Sequence, residues 1–142
     1  MKNKEYRAVE GILYNYNSIK IRIKNKEIDL DELENDYRGL TAQSYEEHTQ
    51  STNKFNSDVE NEVIKRDEKI LKLRKEIKLM KNQILKIDNA MEGLKSYEKT
   101  LIEMKYFDNK RHTDIADELG FEVDSITKIK SRVIKKLIPL LY

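Results

Sequence analysis

The side chains best suited to chemistry in this sequence lie near its C-terminus, between residues 123 and 138. Five basic side chains occur in this segment against one acidic side chain, Asp124, which leaves a local excess of +4. The basic residues are Lys128, Lys130, Arg132, Lys135 and Lys136. Lys and Arg bind the phosphate oxygens of nucleic acids, and short polar side chains on the same helix can hydrogen-bond to base edges. The segment therefore predicts a surface that binds DNA.

Three short helices are predicted to hold this segment in place. They cover residues 97–107, 113–119 and 123–138, and a polar turn at 108–111 separates the first two. In the last helix the expected inward residues recur at steps of three and four: Ile126, Ile129, Val133 and Leu137. Ala116 is small enough for two helices to cross closely, and Gly120 suits a left-handed turn. This spacing predicts a helix-turn-helix whose last helix ends at Pro139.

The predicted contacts to double-stranded DNA divide between base edges and phosphates. The side chains expected to face the major groove are Asp124, Ser125, Thr127, Lys128 and Ser131. The side chains expected to contact the phosphate backbone are Lys110, Arg111, Lys130, Arg132 and Lys135, with Thr113 beside them. Contacts of the first kind select a sequence, whereas contacts of the second kind contribute affinity on any duplex.

Two long amphipathic segments precede these helices. The first has apolar residues at alternating steps of three and four, interrupted by Lys26: Val9, Ile12, Tyr16, Ile19, Ile23, Leu30, Leu33, Tyr37 and Leu40. The second repeats the pattern, interrupted by Arg66: Val59, Val63, Ile70, Leu73, Ile77, Met80, Ile84, Ile87, Met91 and Leu94. Neither stripe can be buried by its own helix. The pattern predicts an antiparallel helical hairpin, or a coiled-coil bundle with a second chain that makes a homodimer.

The predicted domains are a hairpin or coiled-coil region over residues 1–94 and a helix-turn-helix region over residues 95–142. Residues 41–56 are polar and are interpreted as a linker inside the first region. A capping box at Ser57–Glu60 predicts the start of the second long helix. Alternating isoleucines before Lys24 leave a short strand or a helix break near residues 24–26 as an alternative.

Composition supports an all-α fold and excludes several classes of protein. The 142 residues are 38% charged, with a net charge of +2, four glycines, one proline and no cysteine. This excludes a disulfide framework and a thiolate metal site, and no stretch is apolar enough for a membrane span. Without an apolar run typical of a signal peptide, a cytoplasmic location is expected. No nucleophile elbow, phosphate-binding loop or dinucleotide fingerprint occurs, and His48 and His112 lie far apart, so we expect neither an enzyme, a metal nor a cofactor.

The C-terminal pattern resembles a known family. The resemblance covers Leu101 to Leu137, about a quarter of the chain, and rests on residues that recur at the same spacing: Leu101, Ile102, Met104, Lys105, Tyr106, Asp114, Ile115, Ala116, Leu119, Gly120, Phe121, Ile126, Ile129, Lys136 and Leu137. These positions resemble region 4 of bacterial sigma factors. The whole chain looks like the small phage late-transcription regulators of the ArpU and RinA type. This resemblance implies DNA binding in a bacterial host cell and activation of phage late genes without covalent chemistry.

The helix expected to read DNA departs from the sigma pattern in an informative way. Asp124 agrees with the acidic residue of that family, whereas Val123, Ser125 and Thr127 stand where arginines are typical, and Glu122 replaces the capping serine. We therefore expect a DNA target other than an ordinary sigma promoter element.

Two alternative functions are consistent with the same pattern. A small terminase subunit, which binds DNA for phage packaging, also combines a helix-turn-helix with helical oligomerisation. A sigma-like module could instead dock on RNA polymerase without reading bases. A large ring would favour the terminase, and a lack of DNA protection in the absence of polymerase would favour the docking module.

Overall fold

The protein is described by a computed structural model that covers residues 3–47 and 53–142, with side chains described for residues 3–35 and 58–142. The helices are α1 (Lys4–Tyr14), α2 (Tyr16–Glu47), α3 (Asn53–Glu92), α4 (Ser96–Ile102), α5 (His112–Leu119) and α6 (Val123–Leu141). A π-helical turn, Glu103–Phe107, follows α4 directly. The described residues contain no β-strand, and the predicted all-α fold is confirmed.

The long helices form the predicted hairpin within a single chain. In the compact unit Ile21–Lys81, the apolar stripes of α2 and α3 supply buried Ile23, Ile70 and Ile77. Ion pairs join the two helices, with Lys81 Nζ 2.7 Å from Glu27 and an Arg74–Glu34 pair further along. Because a later residue of α2 pairs with an earlier residue of α3, the helices are antiparallel.

The ends of the long helices differ from the predicted ones. The break in the first segment is at Asn15, between α1 and α2, and residues 24–26 are helical. The second helix begins at Asn53, before the predicted capping box. The predicted linker, residues 41–56, is therefore helical up to residue 47 and again from residue 53, while residues 48–52, with His48, lie outside the described part. The seam residues Tyr37 and Leu40 lie outside the residues whose side chains are described.

The second compact unit joins the two ends of the chain. It contains the residues up to Lys20 together with Asn82–Tyr142, so α1 and the end of α3 belong with the C-terminal helices. Its buried core takes side chains from each of these parts, including Val9, Leu13, Ile87, Leu101, Ile102, Ile115, Ile126, Val133, Ile134 and Leu137. The predicted boundary between residues 94 and 95 does not coincide with this division, because apolar side chains of α1 complete the C-terminal core.

The last helix continues beyond the position where the sequence predicts its end. Pro139 lies inside α6, which extends to Leu141, and the backbone N–H of Tyr142 donates to the carbonyl of Ile138 at 2.9 Å. A proline removes one backbone donor, and near a helix end that loss affects a single hydrogen bond. The predicted helix ends at residue 138, so the prediction that Pro139 stops it is wrong by three residues.

Candidate nucleic-acid interface

The turn between α5 and α6 has the backbone geometry that the sequence predicts. Gly120 is left-handed, with φ 74° and ψ 27°. The N–H groups of Gly120 and Phe121 both donate to the carbonyl of Ala116, at 2.9 and 3.0 Å. The Ala116 side chain is buried between the helices. A residue with a Cβ pays a steric cost in this conformation, so glycine at position 120 fixes the angle at which α6 leaves the turn.

The outward face of α6 carries most of the predicted DNA contacts. Asp124, Thr127, Lys128, Arg132 and Lys135 are exposed, and the neighbouring Ser125 is half-buried. Residues three, four and seven positions apart share one face of a helix, so these side chains form a continuous strip. We call this strip, Asp124 to Lys135, the outer face of α6.

Lys130 does not belong to the outer face. It is 6% exposed, and its ammonium nitrogen lies 3.7 Å from the Glu10 carboxylate on α1. Its position follows from helical phase: Lys130 is four residues after Ile126 and three before Val133, both of which are fully buried. The prediction that Lys130 contacts phosphate is wrong, because this side chain is held inside the protein.

Ser131 lies at the edge of the outer face. It is half-buried, and its hydroxyl oxygen is 3.3 Å from the Tyr6 hydroxyl of α1. Both side-chain links to α1, at Lys130 and Ser131, are near the middle of α6, which spans Val123–Leu141. A recognition helix normally contacts base edges with its N-terminal residues. The base contact predicted for Ser131 is thus less accessible than those predicted for Asp124 and Lys128.

A buried carboxylate that the sequence analysis did not single out positions two cations of α6. Glu98, at 0% exposure, accepts hydrogen bonds from the Lys95 backbone N–H at 3.0 Å and from Lys136 Nζ at 3.1 Å. Arg132 Nη2 lies 3.6 Å from the same carboxylate and donates to the Tyr97 hydroxyl at 2.6 Å. Burial by itself would raise the pKa of Glu98, but the Lys95 N–H and the two cations together lower it. Glu98 stands three residues after the N-cap residue Lys95, as the acidic residue of a capping box does, but lysine is not the capping residue of that motif, so the sequence carried no clear signal for Glu98.

The remaining predicted contacts lie at the start of α5. Lys110 is 3.5 Å from Glu118, and Arg111 is 3.4 Å from Asp114, in ion pairs whose side chains are all largely exposed. Thr113 is exposed beside them. Exposed ion pairs of this kind contribute little free energy, so the two cations can exchange their partners for phosphate oxygens.

Thr127 links the outer face of α6 to the start of α5. Its hydroxyl oxygen is 3.4 Å from Nδ1 of His112, the first residue of α5. This exposed contact connects the two helices directly. The hydroxyl of Thr127 is therefore occupied within the protein, although the residue itself is exposed.

Among the described side chains, no three of the His, Cys, Asp and Glu residues come together as metal ligands would. Within the described part of the chain, every helix is too short or too polar to cross a membrane.

Comparison with known proteins identifies the family of the chain. No match to the chain was found among curated proteins or among solved structures. One family, described as "Protein of unknown function (DUF722)", matches residues 6–139, which is nearly the whole chain and includes the hairpin and the helix-turn-helix. The chain therefore belongs to the DUF722 family of proteins of unknown function.

Proposed function

We propose that the protein is a sequence-specific DNA-binding transcription regulator, which acts as a homodimer in the cytoplasm of a bacterial host as an activator of phage late genes. The proposal rests on one observation: the outer face of α6 is exposed in a helix-turn-helix whose turn has the required left-handed geometry. A recognition helix must present polar and cationic side chains to a groove while its opposite face is buried. The α6 helix meets both conditions.

The charges on the outer face support a nucleic-acid partner. Lys128 and Lys135 are exposed, and neither forms an ion pair with any residue whose side chain is described. An unpaired ammonium group on a rigid helix can contact a phosphate or a base edge without first breaking a bond inside the protein. By contrast, Lys136 is held by Glu98 and Lys130 is buried. The number of cations available to DNA is thus smaller than the sequence count.

The proposed homodimer requires a surface other than the hairpin seam. The seam is buried within one chain at Ile23, Ile70 and Ile77. On the opposite side of α3, Ile64 and Leu71 are 54% and 64% exposed and lie seven residues apart, on one face of the helix. This pair offers an apolar surface to a second copy of the chain. Light scattering should give a dimer, whereas a large closed ring would favour a packaging role.

Selection from a random pool of duplex oligonucleotides, at one stated salt concentration, tests the proposed function. We expect one sequence to be enriched over successive rounds and to be protected in footprinting by the protein alone. Lys128→Ala should weaken binding to the enriched sequence, whereas Lys69→Ala, which removes an exposed lysine of α3, should leave it unchanged. A pool without enrichment would reject the proposal. Protection that appears only with RNA polymerase would support the docking module instead.

A further inference from the structure

The first residue of α6 is an exposed apolar side chain next to a polar face. Val123 is 42% exposed at the start of the helix. The other exposed apolar residue of the turn, Phe121, makes an edge-to-face contact with Tyr97 at a centroid distance of 5.8 Å. Phe121 therefore has a packing role inside the protein. Val123 has no such packing role in the core, so its apolar side chain is available to a ligand.

Val123 forms an apolar strip with the next turn of the helix. Thr127 is four residues later, on the same side of α6, and is also exposed. Because the Thr127 hydroxyl is directed to His112 at 3.4 Å, its methyl group is the part that remains to contact a ligand. The isopropyl group of Val123 and the methyl group of Thr127 thus make a strip one helical turn long.

A second strip runs beside the first. Asp124 and Lys128 are likewise four residues apart, each one position after its apolar neighbour, and both are exposed. The start of α6 therefore presents methyl groups along one line and a carboxylate and an ammonium group along the next. The two strips differ in the chemistry that they can recognise.

Base edges in the major groove offer a matching set of groups. The thymine C5-methyl is the apolar group exposed there, a carboxylate accepts a hydrogen bond from cytosine N4, and an ammonium group donates to guanine O6 and N7. We infer that Val123 and Thr127 bind a thymine methyl group, and that Asp124 and Lys128 select an adjacent C·G pair. This inference rests on the proposed function and specifies the bases that its site should contain.

Replacement of thymine by deoxyuridine tests the inference, because it removes only the methyl group. In the enriched duplex, each thymine is replaced in turn and the affinity of the full-length protein is measured. At one position, beside a C·G pair, we expect the affinity to fall about fourfold, which corresponds to about 0.8 kcal/mol for one buried methyl group. Replacements elsewhere in the duplex should leave the affinity unchanged.

Substitutions at Val123 and Thr127 test whether these two side chains make the contact to the thymine methyl group. Val123→Ala and Thr127→Ser should each weaken binding to the thymine duplex, and together they should abolish the difference between thymine and deoxyuridine. Thr127→Val, which keeps the methyl group and loses the hydroxyl, should retain that difference. Thermal unfolding of each variant verifies the fold, which exposed positions should not disturb.

The outcomes separate this inference from the proposed function. An enriched sequence in which no thymine is sensitive to replacement would overturn the inference and leave the regulator proposal standing. The same holds if the double variant Val123→Ala, Thr127→Ser keeps the full sensitivity. A pool without any enriched sequence would overturn both.

Discussion

One carboxylate oxygen of Glu10, on α1, lies 3.7 Å from the ammonium nitrogen of Lys130, on α6. The same oxygen accepts a hydrogen bond from the Tyr106 hydroxyl at 2.7 Å. Burial, and then this bond, raise the pKa of Tyr106, so the phenol stays protonated and continues to donate. This contact joins the N-terminal helix to the helix proposed to read DNA, although the two are far apart in sequence.

Removal of Lys130 should therefore destabilise the protein rather than only weaken DNA binding. Lys130→Ala removes the ammonium group that lies beside the mostly buried carboxylate of Glu10, and we expect the free energy of unfolding to fall by about 3 kcal/mol. Lys135→Ala removes the same charge from an exposed position and should change it by less than about 0.5 kcal/mol. Urea denaturation followed by circular dichroism measures both. Equal small effects would contradict the burial of Lys130.

The free energy of unfolding should fall in acid, because the Glu98 carboxylate becomes protonated there. The pKa of Glu98 is lowered below its ordinary value of 4.5 in the folded protein: burial opposes this, but the Lys95 N–H, Lys136 and Arg132 outweigh it. A lowered pKa stabilises the fold at pH values above 4.5, and this stabilisation is lost as the pH falls through the lowered value. Urea titrations at a series of pH values measure this loss of unfolding free energy in acid. In the variant Glu98→Gln, the contribution of residue 98 to that loss should be absent.

Glu76 provides a matched control for this measurement. Its pKa is also lowered, chiefly by the hydrogen bond from Lys26 at 2.8 Å, but its side chain is 35% exposed and solvent screens the pair. Glu76→Gln should change the acid dependence much less than Glu98→Gln. If Glu76→Gln and Glu98→Gln change the acid dependence of the unfolding free energy equally, the buried contacts of Glu98 do not stabilise the fold more than an exposed ion pair does.

Two glycines should respond in opposite directions to alanine. Gly120 has φ 74°, and although its position has open space for a Cβ, the left-handed backbone should make Gly120→Ala destabilising by about 1 kcal/mol. Gly11 is inside α1, with open space around it, and Gly11→Ala should stabilise by about 0.5–1 kcal/mol through helix propensity. Thermal unfolding of the two variants checks both signs. A stabilised Gly120→Ala would be incompatible with the observed turn.

Salt dependence should distinguish the two free lysines of the outer face. Lys135→Ala should weaken binding to all duplexes and reduce the slope of log K against log salt by about 1, as expected for one lost phosphate contact. Lys128→Ala should weaken binding mainly to the enriched sequence, by about 1–3 kcal/mol. Fluorescence anisotropy with specific and random duplexes at several salt concentrations separates the two effects. Equal losses on both duplexes for both variants would remove the proposed division between phosphate and base contacts.

Local spacing predicted the parts of the structure that depend on a few neighbouring residues. Gly120 adopts the left-handed conformation, Ala116 is buried at the crossing, and Ile126, Val133 and Leu137 face the core. The helical period and the steric cost of a Cβ depend only on local backbone geometry. The seam of the hairpin was predicted for the same reason.

Counting charges along the chain predicted the candidate interface less well than local spacing predicted the helices, because the count did not show which cations are exposed. Lys130 contributed to the predicted excess of +4, yet it is buried against α1, and its spacing from Ile126 already placed it on the inward face. Lys136 is directed to Glu98 on α4. A basic residue in the sequence can form an ion pair, but its partner depends on which carboxylate the fold places near it.

Residue order was enough to predict the all-α fold, the apolar stripe of each long helix and the helix-turn-helix, because each follows from an apolar period that one helix carries along its own length. The folded chain was needed to show that the two stripes pair as a hairpin within one chain, that α1 packs with the C-terminal helices and that Glu98 holds Lys136 and Arg132. These contacts join segments that are far apart in sequence. Which segments meet depends on how the apolar faces of several helices are buried together, and a local pattern does not contain that information.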